Sequence, residues 1–435
     1  MQSYQKSYHM RYDFIFFKKY MKPNFLTPEI CSQIQTDFWS PTYIYSEQEL
    51  SDRADEFLSF PNAYGLTLRY AMKANSNRNI LKLFANKWLC MDASSSYEAQ
   101  RAIAAWVLPE NIQLSSQELS KDLVDLVNAW VSFVATSPHQ VEMYGKAFPG
   151  WEIWVRLNPG VWSAEFKQIS TGGWVSSFGI WHEKIDEIKM IAAKYDIKIT
   201  KVHIHIGSEN TPESWVESAD IWLDFVRAFP DATIFNMGWG FKMAIMDYEK
   251  KANLQEIGEA VQKRFEKFYE ETGRKIHLEV EPGKYLVINS GSFLAQVNDI
   301  VDTGDKWYKF IKVNAGMNDM PRVPMYGIQE PIYIINDSKE TEECVMVGHC
   351  CESSDILTCK LHDQETVEPR EFNTASIGDL VVIDGVWAYN SSMAMKHYNS
   401  FPESGELLIR KDGSIVEMRK RQRLEEMWRN EVEII

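Results

Sequence analysis

One lysine stands at the end of an apolar, strand-like run. Lys73 follows apolar residues at every second position from Leu66 to Met72, and small polar residues come after it. This spacing presents an amine at the open end of a buried strand, the arrangement that a Schiff-base lysine needs. A lysine at such a place is more often a solvated charge at a strand edge. The run alone therefore leaves both interpretations open.

Downstream of this lysine the sequence predicts a barrel of parallel strands. Short apolar runs alternate with stretches whose apolar residues recur every three or four positions, the pattern of βα units. Eight such units in about 220 residues are what a TIM barrel requires. The predicted strands are Leu66–Lys73, Leu89–Ser94, Ile112–Ser116, Val131–Thr136, Ile153–Asn158, Ile199–Ile206, Thr233–Gly238 and Ile276–Glu281.

After about residue 289 the helical period ends, and short alternating strands separated by turn residues follow. This change predicts a second, β-rich domain, either a barrel or a sandwich. We divide the chain into an N-terminal extension (1–45), an α/β barrel (46–289) and the β-rich domain (290–435). The extension should end in a strand near Thr42–Tyr45 that joins the β-rich domain.

Polar residues fall where the predicted barrel strands end, which is where barrel enzymes place their working groups. Taken singly, each has an ordinary structural explanation, such as a helix cap for Asp92 or an ion pair for Arg156. Their convergence on one end of the barrel favours a functional site. The residues are Lys73, Asp92, Arg156, His205, Gly238 and Glu281.

Composition narrows the class of partner. The net charge of −15 and the isoelectric point near 5.2 provide no basic face for phosphates, so we expect no nucleic-acid partner. The apolar cluster Phe14–Phe17 is too short for a membrane span or a signal segment. We therefore expect a cytoplasmic protein that acts on a small molecule and does not bind a membrane.

Neither the cysteines nor the histidines predict a metal centre. Six irregularly spaced cysteines fit reduced thiols better than a disulfide framework. The adjacent Cys350 and Cys351 would point in opposite directions on a strand, which disfavours a tetrahedral zinc site. His203 and His205 share one face of a strand but lack a third ligand, so we interpret His203 as a packed or capped histidine.

The order of several motifs resembles one enzyme family, the pyridoxal-phosphate-dependent amino acid decarboxylases on an alanine-racemase-like barrel. The resemblance is to the diaminopimelate decarboxylase group in particular and spans residues 41–402. It rests on YAMKAN around Lys73, HIHIGS around His205, NMGWGF around Gly238, EPGKYLV from Glu281 and GHCCESSDIL around Cys351.

The resemblance implies a role for most of these residues. Lys73 would hold pyridoxal 5'-phosphate (PLP) covalently, His205 would stack on its ring, and Glu281 would face its pyridine nitrogen. The chain departs from the family with Trp239 inside the glycine-rich loop, Lys284 for arginine, Ser177 for lysine and Trp387 for glycine. The implied cofactor contacts are Lys73, Asp92, Arg156, His205, Ser208, Gly238, Trp239, Gly240, Glu281, Gly283, Lys284 and Tyr398.

The second domain contributes the implied substrate contacts. Arg322 and Tyr326, in AGMNDMPRVPMY, would hold a substrate carboxylate, and arginine supplies two parallel hydrogen bonds for it. In CESSD, Cys351 would donate a proton to the substrate carbanion and Glu352 would meet the distal ammonium. The implied catalytic set is Lys73, His205, Glu281 and Cys351; the implied substrate contacts are Lys284, Arg322, Tyr326, Glu352, Asp355 and Tyr398.

The resemblance therefore predicts decarboxylation of meso-diaminopimelate to L-lysine by a homodimer with two shared sites. One alternative is a decarboxylase of another diamino acid or of a carboxylated polyamine, such as ornithine, lysine or carboxynorspermidine. A second alternative, from another class, is a catalytically weak regulatory homologue that binds the cofactor. The four departures from the family pattern keep that alternative open.

Overall fold

A computed structural model describes residues 23–160, 176–205, 208–209, 212–238, 240–305 and 307–434. Two predicted cofactor contacts are affected by these limits. Trp239 lies outside the described residues, and of Ser208 only the backbone is described.

Eight parallel strands close a barrel in the first part of the chain. They follow the chain order around the ring, and β5 pairs with β6 to continue the circle through β8, β10 and β12 back to β2. The strands before the second domain are β1 (Thr42–Ser46), β2 (Leu66–Ala71), β3 (Cys90–Ala93), β4 (Ile112–Leu114), β5 (Ser132–Ala135), β6 (Glu152–Asn158), the short β7 (Ile180–Trp181), β8 (Lys198–Ile204), the short β9 (Ser208–Glu209), β10 (Ile234–Asn236), the short β11 (Gly240–Phe241) and β12 (His277–Val280).

Amphipathic helices cover the barrel. The longest, α9, begins at the side chain of Asn253, which accepts the Glu256 N–H, and ends at Gly273 with a left-handed φ of 70°. Its apolar face from Leu254 to Phe268 is buried. The helices of the whole described chain are α1 (Pro28–Asp37), α2 (Glu47–Leu58), α3 (Arg78–Ala85), α4 (Ser96–Ile103), α5 (Leu123–Asn128), α6 (Pro138–Ala147), α7 (Ile185–Tyr195), α8 (Pro212–Arg227), α9 (Leu254–Thr272), α10 (Lys284–Val287), α11 (Arg322–Tyr326) and α12 (Leu424–Met427).

A mixed sheet and a separate two-stranded antiparallel sheet form the second domain. The long strand β13 of the mixed sheet pairs antiparallel with β1, β14 and β20. Strand β1 precedes the barrel in sequence but lies in this sheet, between β13 and the parallel β21. The strands are β13 (Gly291–Asp302), β14 (Lys309–Val313), β15 (Ile332–Ile335), β16 (Thr341–Val347), β17 (Cys359–Lys360), β18 (Asp363–Val367), β19 (Arg370–Asn373), β20 (Leu380–Asp384), β21 (Gly405–Ile409) and β22 (Ile415–Arg419).

The predicted fold class is confirmed, and all eight predicted barrel strands are present. In the second domain the sequence did not predict β17, β18, β19 and β22. Strand β17 has only two residues, and the charged, partly exposed residues of the other three give only a weak alternating signal. The predicted end of β2 at Lys73 was wrong. The strand ends at Ala71, and Lys73 lies in a 3-10 turn whose flanking residues Met72 and Ala74 are buried.

Close packing of α9 against the chain before β2 generates a prediction. A Cβ added at Gly258 would overlap the ring of Pro61. We expect Gly258→Ala to lower the free energy of unfolding by about 1–3 kcal/mol through overpacking, although alanine is the better helix former. Denaturant unfolding monitored by circular dichroism measures this.

The matched control is the exposed neighbour Glu259. Glu259→Ala should change the free energy of unfolding by less than about 0.5 kcal/mol. A Gly258→Ala protein as stable as the parent would contradict the close approach of α9 to Pro61.

Candidate active site

The carboxyl ends of β2, β3, β8, β10 and β12 bring the predicted residues to one mouth of the barrel. Backbone hydrogen bonds join neighbouring strand ends, from Ala71 N–H to Pro282 O (3.2 Å) and from Glu281 N–H to Gly238 O (2.9 Å). Lys73 follows β2, and its side chain is exposed. The structure therefore places Lys73, Gly238 and Glu281 on adjoining segments, as a shared site requires.

Glu281 is a buried carboxylate surrounded by donors. Its Oε1 accepts from Asn236 Nδ2 (2.7 Å) and Gln113 Nε2 (2.6 Å), and its Oε2 lies 3.2 Å from His203 Nε2. Burial opposes the charge, but His203 and Lys201 hold the pKa of Glu281 well below its ordinary value. The site thus contains a fixed negative charge.

Asp92 is the second buried carboxyl group, and it shares Gln113 with Glu281. Gln113 Nε2 lies 2.8 Å from Asp92 Oδ1. Burial and the neighbouring charge of Glu281 raise the pKa of Asp92 to about 7, although Lys73 lowers it. Two carboxyl groups close together do not both ionise readily. Glu281 therefore carries the charge, and near neutral pH Asp92 is partly protonated.

His205 and Gly238 lie against each other. A Cβ at Gly238 would come within 2.7 Å of His205 Nδ1 and 2.6 Å of Ile204 O, and the φ of Gly238 is 64°, so only glycine fits there. The backbones of Ser208 and Gly240 pair in the β9–β11 ribbon. Burial, with Arg156 and Lys73 nearby, lowers the pKa of His205 well below its usual value. Its imidazole is therefore neutral.

Arg156 brings a buried cation to the same mouth. Among the described residues its Nε and one Nη atom have no hydrogen-bond partner. Its guanidinium lies 5.3 Å from the centre of the Phe178 ring, and the charges of Glu281 and Asp92 act on it. A buried arginine with unused donors fits a site whose anionic occupant supplies the remaining acceptors.

Part of the second domain packs beside Lys73. Ser392 Oγ donates to Lys73 O (3.0 Å), and Tyr389 N–H donates to Ala74 O (2.9 Å). The Tyr389 hydroxyl lies 3.4 Å from where a Cβ on Gly283 would be, and the φ of Tyr389 is 65°. Tyr389 of the second domain therefore approaches the segment that follows Glu281, with a backbone conformation that is uncommon for a residue other than glycine. The sequence analysis did not select it.

The segment around Cys351 forms a separate exposed cluster in this chain. Cys351 N–H donates to Asn399 Oδ1 (2.8 Å), and the Tyr398 hydroxyl donates to Glu352 Oε2 (3.1 Å). Cys351, Glu352 and Tyr398 are thus brought together, and the first two are exposed. No hydrogen bond among the described residues joins Cys351, Glu352 or Tyr398 to the barrel mouth.

Asp355 is buried beneath this segment. Its two carboxylate oxygens accept the Met317 and Cys350 N–H groups, each at 2.7 Å. Asp355 therefore holds together the two loops that carry the AGMND and CESSD motifs. Its predicted contact with substrate stays a prediction.

Arg322 and Tyr326 begin and end α11. Arg322 is buried, and its Nη1 lies 3.5 Å from Glu330 Oε1. Tyr326 is half-buried, as is Lys284 at the start of α10. Burial raises the pKa of Glu330, and the charges of Arg322 and Lys284 oppose that rise.

Sequence reasoning missed Gln113 and Asn236 and gave His203 only a structural role. The structure shows that all three contact Glu281. A polar residue inside an otherwise apolar strand was the available signal for Gln113 and Asn236. Among the described residues no group of three or more possible ligands could hold a metal ion, and no helix has the length and apolar character needed to cross a membrane.

Known proteins resemble this chain over most of its length. Residues 50–288 match the family model of the pyridoxal-dependent decarboxylases, pyridoxal binding domain. Diaminopimelate decarboxylase of Buchnera aphidicola (Acyrthosiphon pisum) is 31% identical over 83% of this chain and 87% of its own. Diaminopimelate decarboxylase of Streptomyces coelicolor is 29% identical over 91% and 90% of the two chains.

Solved structures agree with the sequence relatives. A crystal structure of diaminopimelate decarboxylase matches with a TM-score of 0.86 and 26% identity over 93% of this chain and 96% of the other. The Helicobacter pylori enzyme in complex with L-lysine matches with a TM-score of 0.81 and 27% identity over 92% and 98% of the chains. The family match and these relatives show that the chain belongs to the pyridoxal-dependent decarboxylases, in the diaminopimelate decarboxylase group.

Proposed function

We propose that this protein uses PLP to decarboxylate meso-diaminopimelate to L-lysine. One observation supports this proposal most strongly: the Lys73 and Glu281 segments lie side by side at one barrel mouth, in a chain of this family. Bound PLP supplies an electron sink for the electron pair left when the bond from Cα to the carboxylate breaks.

The residues present fit that cofactor. Arg156 has buried donors without partners among the described residues, and Gly238 leaves room for a close approach to the backbone. Lys73 would attach the cofactor aldehyde through its amine. Glu281 would keep a proton on the ring nitrogen, and the neutral His205 would lie flat against the ring. Ser208, Gly240 and Gly283 would add phosphate contacts, because glycine and serine let backbone or hydroxyl donors reach an anion.

The remaining residues would act on the substrate. The Cys351 thiol would donate a proton to Cα after carbon dioxide leaves. Glu352 would bind the distal ammonium, and Arg322 with Tyr326 would bind the distal carboxylate. Because Glu330 already faces Arg322, substrate binding would require the guanidinium to bond both carboxylates.

Two further properties belong to this proposal. We place the protein in the cytoplasm, and the six cysteines, all described and none in a disulfide, support a reducing compartment. We also propose a homodimer in which the exposed Cys351 cluster completes the barrel mouth of the partner subunit. Among the described residues no hydrogen bond joins that cluster to the barrel mouth of its own chain, and this supports the arrangement.

One set of measurements tests both the attachment of the cofactor to Lys73 and the identity of the substrate. Purified protein should carry a visible absorbance band from the attached cofactor, and Lys73→Ala should lose it together with essentially all carbon dioxide release. Release should be fastest from meso-diaminopimelate in a panel that includes ornithine, lysine and carboxynorspermidine. Faster release from another amine would refute the substrate assignment, and a coloured protein inactive on every compound would favour the regulatory homologue.

Shared sites are tested by mixing two inactive variants, Lys73→Ala and Cys351→Ser. Subunit exchange should restore roughly a quarter of the parent activity, because random pairing gives half of the dimers one intact site of two. Each variant alone serves as the control. A mixture that stays inactive after exchange, verified by mass on differently tagged subunits, would contradict sharing.

A further inference from the structure

A buried polar network lies inside the barrel beneath Glu281. Lys201 has no exposed surface, and its ammonium contacts both Gln113 Oε1 and Glu279 Oε2. Arg69 holds the same Glu279 through two hydrogen bonds of 2.9 and 2.8 Å. Lys201 and Arg69 also lie 3.9 and 5.3 Å from the centre of the Trp154 ring. None of these residues belongs to the predicted set.

The network fixes the orientation of one amide. An ammonium group only donates hydrogen bonds, so the Gln113 oxygen must face Lys201. The Gln113 NH2 group then points at Asp92 Oδ1 (2.8 Å) and Glu281 Oε1 (2.6 Å) and donates one hydrogen bond to each. The opposite amide orientation would set an oxygen against two carboxyl groups and an NH2 against an ammonium.

The charges around the two carboxyl groups come from several elements. Without positive charges or donors nearby, burial would leave both carboxyl groups protonated and uncharged. The titratable and charged groups that act on Glu281 or Asp92 are Lys73, Arg69, Glu98, Arg156, Lys201, His203 and His205. Gln113 is the neutral donor that contacts both carboxyl groups.

We propose that Lys201 and Gln113 are positioning residues: Lys201 orients the Gln113 amide, and the amide NH2 group donates to Asp92 and Glu281 and so favours the ionised form of both carboxyl groups. The catalytic meaning of this arrangement rests on the proposed function, because it concerns the carboxylate that would face the cofactor nitrogen. The arrangement itself is a property of the protein without cofactor, and it can be measured there.

Infrared titration of cofactor-free protein measures the protonation of the Asp92 carboxyl group directly. The difference between the parent and Asp92→Asn isolates the carboxylic-acid band of Asp92, which should disappear as pH rises through about 7. Since the pKa of Asp92 is raised in the folded state, stability gained from its proton is complete below the unfolded pKa and is lost as pH rises through 7. Asp92→Asn should therefore flatten the fall of stability between about pH 4 and pH 7.

Gln113→Met removes the donor without adding charge. We expect the Asp92 band to persist to a pH about one unit higher, and the acid limb of kcat/KM to move upward as Glu281 loses a donor. Lys201→Met should shift both in the same direction, because it removes the charge that orients the amide. It also serves as the second variant if Gln113→Met does not fold.

Gln140 provides the matched control, since it is buried in α6 and, among the described residues, its side chain bonds only to Thr136 and to the carbonyl oxygens of residues 116 and 117. Gln140→Met should lower stability and leave both titrations unchanged. If Gln113→Met and Lys201→Met titrate like Gln140→Met, the positioning role is refuted. That result would leave the substrate assignment untouched, because the infrared measurement involves no turnover.

An independent observation concerns tryptophans at the other end of the barrel. Trp88, Trp106 and Trp130 each follow a helix and have left-handed φ angles of 67°, 68° and 76°. At each, two hydrogen bonds close the helix end, such as Trp88 N–H to Ala85 O (3.0 Å) and the next N–H to Phe84 O (3.1 Å). This is the Schellman motif, whose left-handed position glycine normally occupies.

Nothing in the packing offsets the strain of these tryptophans. Their exposed fractions are 89%, 81% and 73%. The same position after α9 is Gly273. Four of the ten described non-glycine residues with positive φ are tryptophans, counting Trp39, although 15 tryptophans in 435 residues would supply fewer than one by chance. A large side chain in this conformation carries a steric cost.

We infer that residues 88, 106 and 130 are glycine in the chain that the source cell makes, where the codon UGA, tryptophan in some genetic codes, is read as glycine. The same decoding would account for Trp239 and Trp387, which stand where the family has glycine.

The gene and the native protein test this inference. Codons 88, 106 and 130 should be UGA, whereas those of the buried core residues Trp215 and Trp222 should be UGG. Peptide masses from the native protein should show glycine at the first three positions. UGG codons or tryptophan masses there would overturn the inference.

Stability of the recombinant chain provides a second measurement. Trp88→Gly should raise the midpoint of thermal unfolding, because it relieves the left-handed strain and removes no packing. Trp222→Gly, the control, should lower that midpoint through a core cavity. A Trp88→Gly protein less stable than the parent would contradict a glycine site.

Discussion

The charge on Glu281 is the constraint around which the barrel interior is organised. A carboxylate deprived of water ionises only if donors and positive charge replace the lost hydration. Here two amides from different strands and one imidazole contact Glu281. Each of these side chains occupies an inward-facing strand position that an apolar residue would otherwise fill. The barrel thus gives up some apolar packing to maintain one negative charge at its mouth.

The layer beneath that charge is itself ionic. Arg69 and Lys201 hold the pKa of buried Glu279 at about 2, and burial lowers the pKa of Lys201 to about 8. Buried ion pairs contribute little net stability, because desolvation offsets the attraction between the charges. The contribution of this ionic layer is to orient a neighbouring side chain. Lys201 fixes which way the Gln113 amide points, so that the amide NH2 group donates to both Asp92 and Glu281.

The second domain participates in the site by two different routes. The residues from Tyr389 to Ser392 pack onto the turn of Lys73 in the same chain. The Cys351 cluster remains exposed and is ordered from below by Asp355. Strand β1 ties this domain to the chain that leads into the barrel. Barrel and β-rich domain are therefore interlocked, and the catalytic thiol proposed here would be supplied to a neighbouring subunit.

The sequence by itself determined the fold class, the eight barrel strands and the residues at their carboxyl ends, because apolar periodicity and strand-end polarity are local signals. It also determined the family, through motifs such as YAMKAN and EPGKYLV. The tertiary structure alone decided that His203 contacts Glu281, that Gln113 bridges two carboxyl groups and that Tyr389 approaches Gly283. These contacts join residues far apart in sequence, and no spacing along the chain encodes which inward-facing side chains meet once the barrel closes. The left-handed tryptophans were equally hidden, since φ is set by the helix end and the following strand together.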